Sequence, residues 1–299
     1  MKTTSKTVSG TPYRTEIFND LYEFMEVVNT RPENAQQRAL NKKGYESSAL
    51  ETGKSALEFT GTADWDESIS LMNGGYTEGL RMIEALPKLQ RDPKPRRRIF
   101  ADVVGVTPHI PNVVMDIDPR DMWNIKRVPQ KSNEINIYYD RTVSWHRKQE
   151  DIAASARLML DTISAIEQAG TKVNLYVMSS VCDKDTKEFI NCIIQIKKAS
   201  QQLNPLMMAY PLVHPSFQRR QMFRWMETTP IVSYRSTVKV HGYNIRCSNS
   251  YFRDKLIGAG IITDKDYYIR CESVVSYTSI DRLIDDMNEQ SELKTARAI

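Results

Sequence analysis

Asn133-Glu134-Ile135-Asn136-Ile137-Tyr138-Tyr139-Asp140-Arg141-Thr142-Val143-Ser144 is the stretch that decides the fold. It opens as an apolar strand, Ile135 to Tyr139, and turns polar at Asp140. A long amphipathic stretch follows and predicts a helix closed by Gly170. Val173-Asn174-Leu175-Tyr176-Val177-Met178 then predicts a second strand. Strand, helix, strand is the unit of a parallel sheet, with a right-handed crossover. Asp183 to Glu188 is a short polar connection, so the apolar run Phe189 to Ile196 is expected to return antiparallel. The expected class is α/β. An acid at the carboxyl end of the first strand, Asp140, sits where open α/β sheets place their ligands.

Composition sets the outer bounds. Of 299 residues, 40% are apolar and 26% charged, the balance of an ordinary globular protein. No apolar run approaches the ~20 residues of a membrane span. The start, Met1 to Lys6, does not lead into the apolar core of a signal peptide. A formal charge of +4 is small for this length, so bulk charge argues little for nucleic acid. Cys182, Cys192, Cys247 and Cys271 form no C-x-x-C pair, which points to reduced, packed thiols and a cytoplasmic setting.

The chain divides into three parts on composition. Residues 1–14 read as a loose polar tail. Residues 15–98 read as a mainly helical region, with Thr15 capping a first helix through Asn29, and Thr62 or Asp64 capping another. Gly74-Gly75 reads as a helix-helix corner or, less simply, a cradle for an anion. The region ends in a basic, proline-rich linker in which Lys94, Arg96, Arg97 and Arg98 stand among Pro87, Pro93 and Pro95. Residues 99–299 read as the α/β domain with a C-terminal extension. There the apolar run Leu206 to Val213 ends at His214-Pro215, Ser216 is placed to cap the next helix, and Asp266 to Val275 looks like a last strand before a helix carrying Ile280, Leu283 and Met287.

Asp140-x-Thr142-x-Ser144 sets one carboxylate and two hydroxyls on alternate residues, which point to one side of an extended segment. Such hard oxygen donors suit Mg²⁺ or Mn²⁺, with water completing the octahedron. The competing reading is local: Asp140 or Ser144 merely caps the helix that follows. The pattern resembles the metal-ion-dependent adhesion site of von Willebrand factor type A domains, whose first motif is Asp-x-Ser-x-Ser after the first core strand. The resemblance implies a Rossmann-like three-layer sandwich, and a divalent ion whose open position takes an acidic side chain of a protein partner. Some intracellular members of that family work beside a ring ATPase. It further implies a Thr ligand from the next loop, yet Val213 to Ser216 contains none. Ser216 or His214 stands there instead, and Asp183 and Asp264 are the acidic options for a later ligand.

Val173-Asn174-Leu175-Tyr176-Val177 and Pro211-Leu212-Val213-His214-Pro215-Ser216-x-x-Arg219-Arg220-x-x-Phe223-Arg224-Trp225 are also similar to a group of uncharacterised phage-encoded proteins. That likeness implies the host cytoplasm or a virion, and a role in assembly, but no activity.

Three functions therefore compete. The first is a non-enzymatic, metal-assisted binding or assembly module using Asp140, Thr142, Ser144 and Ser216, with His214, Arg219, Arg220 and Arg224 beside it. The second is a nucleic-acid binder, in which Lys94, Arg96, Arg97, Arg98 and the three later arginines contact phosphates with salt-sensitive affinity. For Arg219, Arg220 and Arg224 the plainer reading is a solvated helix face, and for His214 a packed turn histidine. The third is an enzyme acting on a phosphodiester with His214 as proton carrier. It ranks last, because no base–nucleophile pair is readable.

Overall fold

Alternation along a strand sends successive side chains to opposite faces of a sheet, and in this protein both faces are covered. The computed structural model describes residues 1–8, 10–31, 55–86, 101–102, 107–108, 123–124, 134–143, 147–182, 188–229, 243–244, 249–277 and 279–297. The strands are β1 (Lys2–Val8), β2 (Thr11–Phe18), β3 (Ala101–Asp102), β4 (Thr107–Pro108), β5 (Trp123–Asn124), β6 (Glu134–Asp140), β7 (Lys172–Cys182), β8 (Phe189–Lys197), β9 (Tyr243–Asn244) and β10 (Tyr267–Arg270). The helices are α1 (Leu21–Thr30), α2 (Ala56–Thr60), α3 (Trp65–Gly74), α4 (Thr77–Ala85), α5 (Gln149–Gln168) and α6 (Pro205–Val213). A π-helical segment (Phe217–Met222) then runs into α7 (Phe223–Thr228), followed by α8 (Asn249–Gly258), α9 (Cys271–Val274) and α10 (Ile280–Arg297).

The main sheet is mixed and runs in the order β1-β2-β8-β7-β6-β10, with β9 on the far end of β7. Strand β6 is parallel to β7 and β10, and β2 is parallel to β8. The pairs β7–β8 and β1–β2 are antiparallel. β3, β5 and β4 form a separate small sheet. The protein is thus a mixed α/β fold, and the expected β6–α5–β7 unit with its antiparallel return is present.

One face of the sheet, through Ile137, Tyr139, Leu175, Val177 and Ile194, joins a large apolar core. Phe24 of α1, Met72 of α3, Ile83 of α4 and Leu212 of α6 belong to that same core. The helices of the 15–98 region are therefore built onto the sheet. The other face carries a smaller cluster, in which Tyr138, Met178, Ile193 and Tyr268 pack against Phe252 and Leu256 of α8. Tyr138 stacks on Tyr176 at 4.7 Å between centroids.

Several expectations need correction. Residues 2–8 are a strand, not a loose tail, because Gly10 at φ 78° lets the chain fold back on Thr11–Phe18. Thr15 lies inside β2. The cap of α1 is Asp20, whose Oδ1 accepts from Glu23 N–H at 2.8 Å. Ser216 makes no capping bond, since the chain passes from α6 into the π-helical segment and its hydroxyl is used elsewhere. The expected strand Asp266 to Val275 is β10 followed by the short helix α9. Of the two candidate caps, Asp64 closes the start of α3 by accepting from Glu67 N–H at 2.8 Å. Gly75, at φ 81°, makes the corner between α3 and α4, and a Cβ there would press on Leu206.

Candidate functional site at the carboxyl end of β6

Three consecutive residues leave β6 buried, and they diverge. Asp140 follows the parity of Tyr138 and so lies on the α8 side of the sheet. Its Oδ1 accepts from Thr142 N–H at 2.9 Å, which curls the loop back on itself. Its Oδ2 accepts from the hydroxyl of Tyr268 at 2.6 Å. Burial pushes the carboxyl above its usual range, opposed by the Tyr268 hydrogen bond, the Arg270 charge and Thr142. Thr142 Oγ1 accepts from Ser180 N–H at 3.1 Å and lies 3.5 Å from Ser179 Oγ. Ser180 shares the parity of Met178, on the Asp140 side, and its own hydroxyl is buried without a hydrogen-bond partner.

Arg141 turns to the other face. It is 2% exposed; its Nε donates to Leu212 O at 2.6 Å and its Nη2 to Val213 O at 3.1 Å. These bonds hold the end of α6 against β6, directly before His214. The ring of His214 is buried, with Tyr210 stacked on it at 5.4 Å and Tyr76 edge-on at 4.7 Å. Gly79, one turn into α4, makes room for the Tyr76 ring, which a Cβ there would overlap. Tyr76 is steadied by Gln149 of α5, whose Nε2 donates to its hydroxyl at 3.0 Å. His214 Nδ1 accepts from Ser216 N–H at 3.1 Å, so the neutral ring carries its proton on Nε2. Burial, aided by the Arg141 charge, pushes this imidazole down to about 4.

A chain of buried hydroxyls extends from that ring. Ser216 Oγ lies 2.7 Å from His214 Nδ1 and 2.8 Å from Tyr210 Oη, which lies 2.9 Å from Ser68 Oγ. Gln221 of the π-helical segment donates to Ser68 Oγ at 3.0 Å. This network locks α3, α6 and the π-helical segment together. It shares no member with the groups bonded to Asp140.

The predicted residues thus fall into separate sets. Asp140 and Thr142 are brought together, while Ser216 joins His214 in the second network. Ser144, Asp183, Lys94, Arg96, Arg97 and Arg98 lie outside the described residues, and Asp264 lends its carbonyl to Arg253 at 2.6 Å. Arg219 and Arg220 are not a solvated face: Arg219 Nη1 donates to Phe59 O at 2.6 Å over the Phe59 ring, and Arg220 donates to Thr62 Oγ1 and Thr62 O. Arg224 is half-buried in α7. Among the described residues, no three His, Cys, Asp or Glu side chains gather as a metal cluster. A cation at Asp140 would therefore rest on one carboxylate and hydroxyls. The unpartnered Ser180 oxygen, on the carboxylate's side of the sheet, fits such a donor set.

Sequence reasoning alone misses Tyr268 and Ser180. The first is 128 residues from Asp140 and has no local signal. The second has one, a Ser-Ser pair interrupting the apolar run near the end of the neighbouring parallel strand.

Fold and site together define a mixed α/β protein with buried, oppositely charged side chains at one sheet end. The chain belongs to a family described as a domain of unknown function, DUF7192, whose model matches residues 4–294. No curated protein and no solved structure matches it.

Proposed function

We propose that the protein is a metal-assisted binding module with a Rossmann-like, type A-like three-layer core. Asp140, Thr142 and Ser180 would hold Mg²⁺ or Mn²⁺, and a coordination position left open would take an acidic group of a protein partner. The observation that carries this is the buried Ser180 hydroxyl without a hydrogen bond, on the same side of the sheet as the Asp140 carboxylate. A buried polar atom without a partner costs roughly 1–3 kcal/mol, so a ligand that satisfies it is favoured. Supporting the core assignment are the run β8-β7-β6-β10, with only β8 reversed, and apolar clusters on both sheet faces. Oxygen donors alone select hard cations over zinc or copper.

The test is calorimetric titration of the protein with Mn²⁺ and Mg²⁺, alongside thermal unfolding. At a hundredfold excess over Kd the ion is expected to stabilise the fold by about 2.7 kcal/mol. Asp140→Asn keeps the shape and the Tyr268 contact but loses the charge, so the metal effect should vanish. Without metal, this variant should be at least as stable as the parent at neutral pH, since burial already disfavours the ionised carboxyl. No heat with the parent protein, or equal heat with Asp140→Asn, removes the reading.

A further inference from the structure

Arg141 is a buried cation with spare hydrogen-bonding capacity. Two of its nitrogens are satisfied by the carbonyls of Leu212 and Val213, while Nη1 is buried and bonds to nothing. Among the described residues, no carboxylate stands within ion-pair distance of its guanidinium. The Asp140 carboxylate, one residue away, belongs to the opposite face and to Tyr268. Other titratable groups feel this charge. Arg219 lies close enough that burial and the Arg141 charge together push its guanidinium down to about 10, and His214 beside them is held neutral. A buried charge without a counter-charge costs several kcal/mol, and folded proteins match such charges or bind an ion.

From this imbalance we infer that Arg141 Nη1 binds a small inorganic anion, on the face of β6 opposite Asp140 and against the end of α6. The guanidinium is enclosed, which favours a small inorganic ion over an organic anion. The planar fork leaves one nitrogen free to donate to it. The second positive charge from Arg219 favours an anion over a neutral molecule. The anion would tie β6 to the α6 end and relieve the repulsion between the two arginines. It is a different ligand from the cation proposed at Asp140, and neither site requires the other.

The experiment uses the full chain, freed of small anions in sodium gluconate with EDTA throughout, so that divalent cations play no part. Chloride, sulfate and phosphate are then added at matched ionic strength while thermal unfolding is followed. At roughly tenfold the Kd, at least one of them is expected to raise the Tm by about 3 °C over gluconate. Bromide soaked into crystals should give an anomalous peak within hydrogen-bond reach of Arg141 Nη1. Arg141→Lys, which keeps the charge and can still reach a carbonyl but lacks the fork, should weaken the anion response at least tenfold. If that variant fails to fold, the bromide peak in the parent decides alone. Identical Tm values in all four salts, a bromide peak only elsewhere, or an undiminished response in Arg141→Lys would each overturn the assignment.

Discussion

Arg31→Met is expected to destabilise the protein by about 3–5 kcal/mol, the cost of stranding a buried charge. The charge is Glu16 on β2, which is fully buried. Arg31, at the end of α1, grips it with two parallel bonds of 2.8 and 2.9 Å, and Trp225 of α7 donates a third at 2.7 Å. Strand, helix and a segment two hundred residues away therefore meet on a single carboxylate. Denaturant unfolding at pH 7 measures the loss. The double variant Glu16→Gln/Arg31→Met should recover a large part of it, because no ion is then left unmatched. A single-variant loss below about 1 kcal/mol would mean that Glu16 is not enclosed as described.

Acid should weaken the fold through His214. The folded protein holds this imidazole neutral down to about 4, against an ordinary value of 6.5. Its contribution is therefore complete above about pH 6.5 and is lost as the pH falls toward 4, amounting to about 3 kcal/mol in full. In His214→Asn the amide oxygen takes the place of Nδ1 in accepting from Ser216 N–H, but takes up no proton. Its stability should change less between pH 7 and pH 4.5, by close to one proton's worth of slope. Asp140 acts in the opposite sense, its raised carboxyl favouring the fold as pH drops, so only the comparison of variant with parent isolates the histidine. Equal slopes in the two proteins would show that His214 is not held neutral.

Much of the sheet was legible because its central strands carry one unbroken apolar face, and on the other Tyr138, Tyr176 and Met178 beside Asn136 and Asn174. Ile135 to Tyr139 and Val173 to Met178 have few other ways to be buried, and Gly170, at φ 92°, ends the helix between them where expected. The edge was not legible. β2 presents Thr15 and Glu16 to the interior, and their polarity hides the strand until Asn191 and Arg31 are known to bond them. In the same way, Arg219 and Arg220 look like surface residues until Phe59 and Thr62 arrive from another part of the chain. At the site, Asp140 and Thr142 were visible as a local motif. Tyr268 was not, since it becomes a neighbour only through the pairing of β6 with β10.

The position of β2 also bears on how the molecule is made. Its sheet partner β8 begins about 170 residues after β2 ends, at Phe189 against Phe18. At ~5–20 residues per second, a ribosome takes roughly 9–34 s to cover that distance. A two-stranded hairpin is marginally stable alone in water, so β1 and β2 must wait for β8. Their docking follows the appearance of β6, β7 and β8. In that interval the unpaired edge of the hairpin is open to chaperones, or to a neighbouring nascent chain on the same polysome.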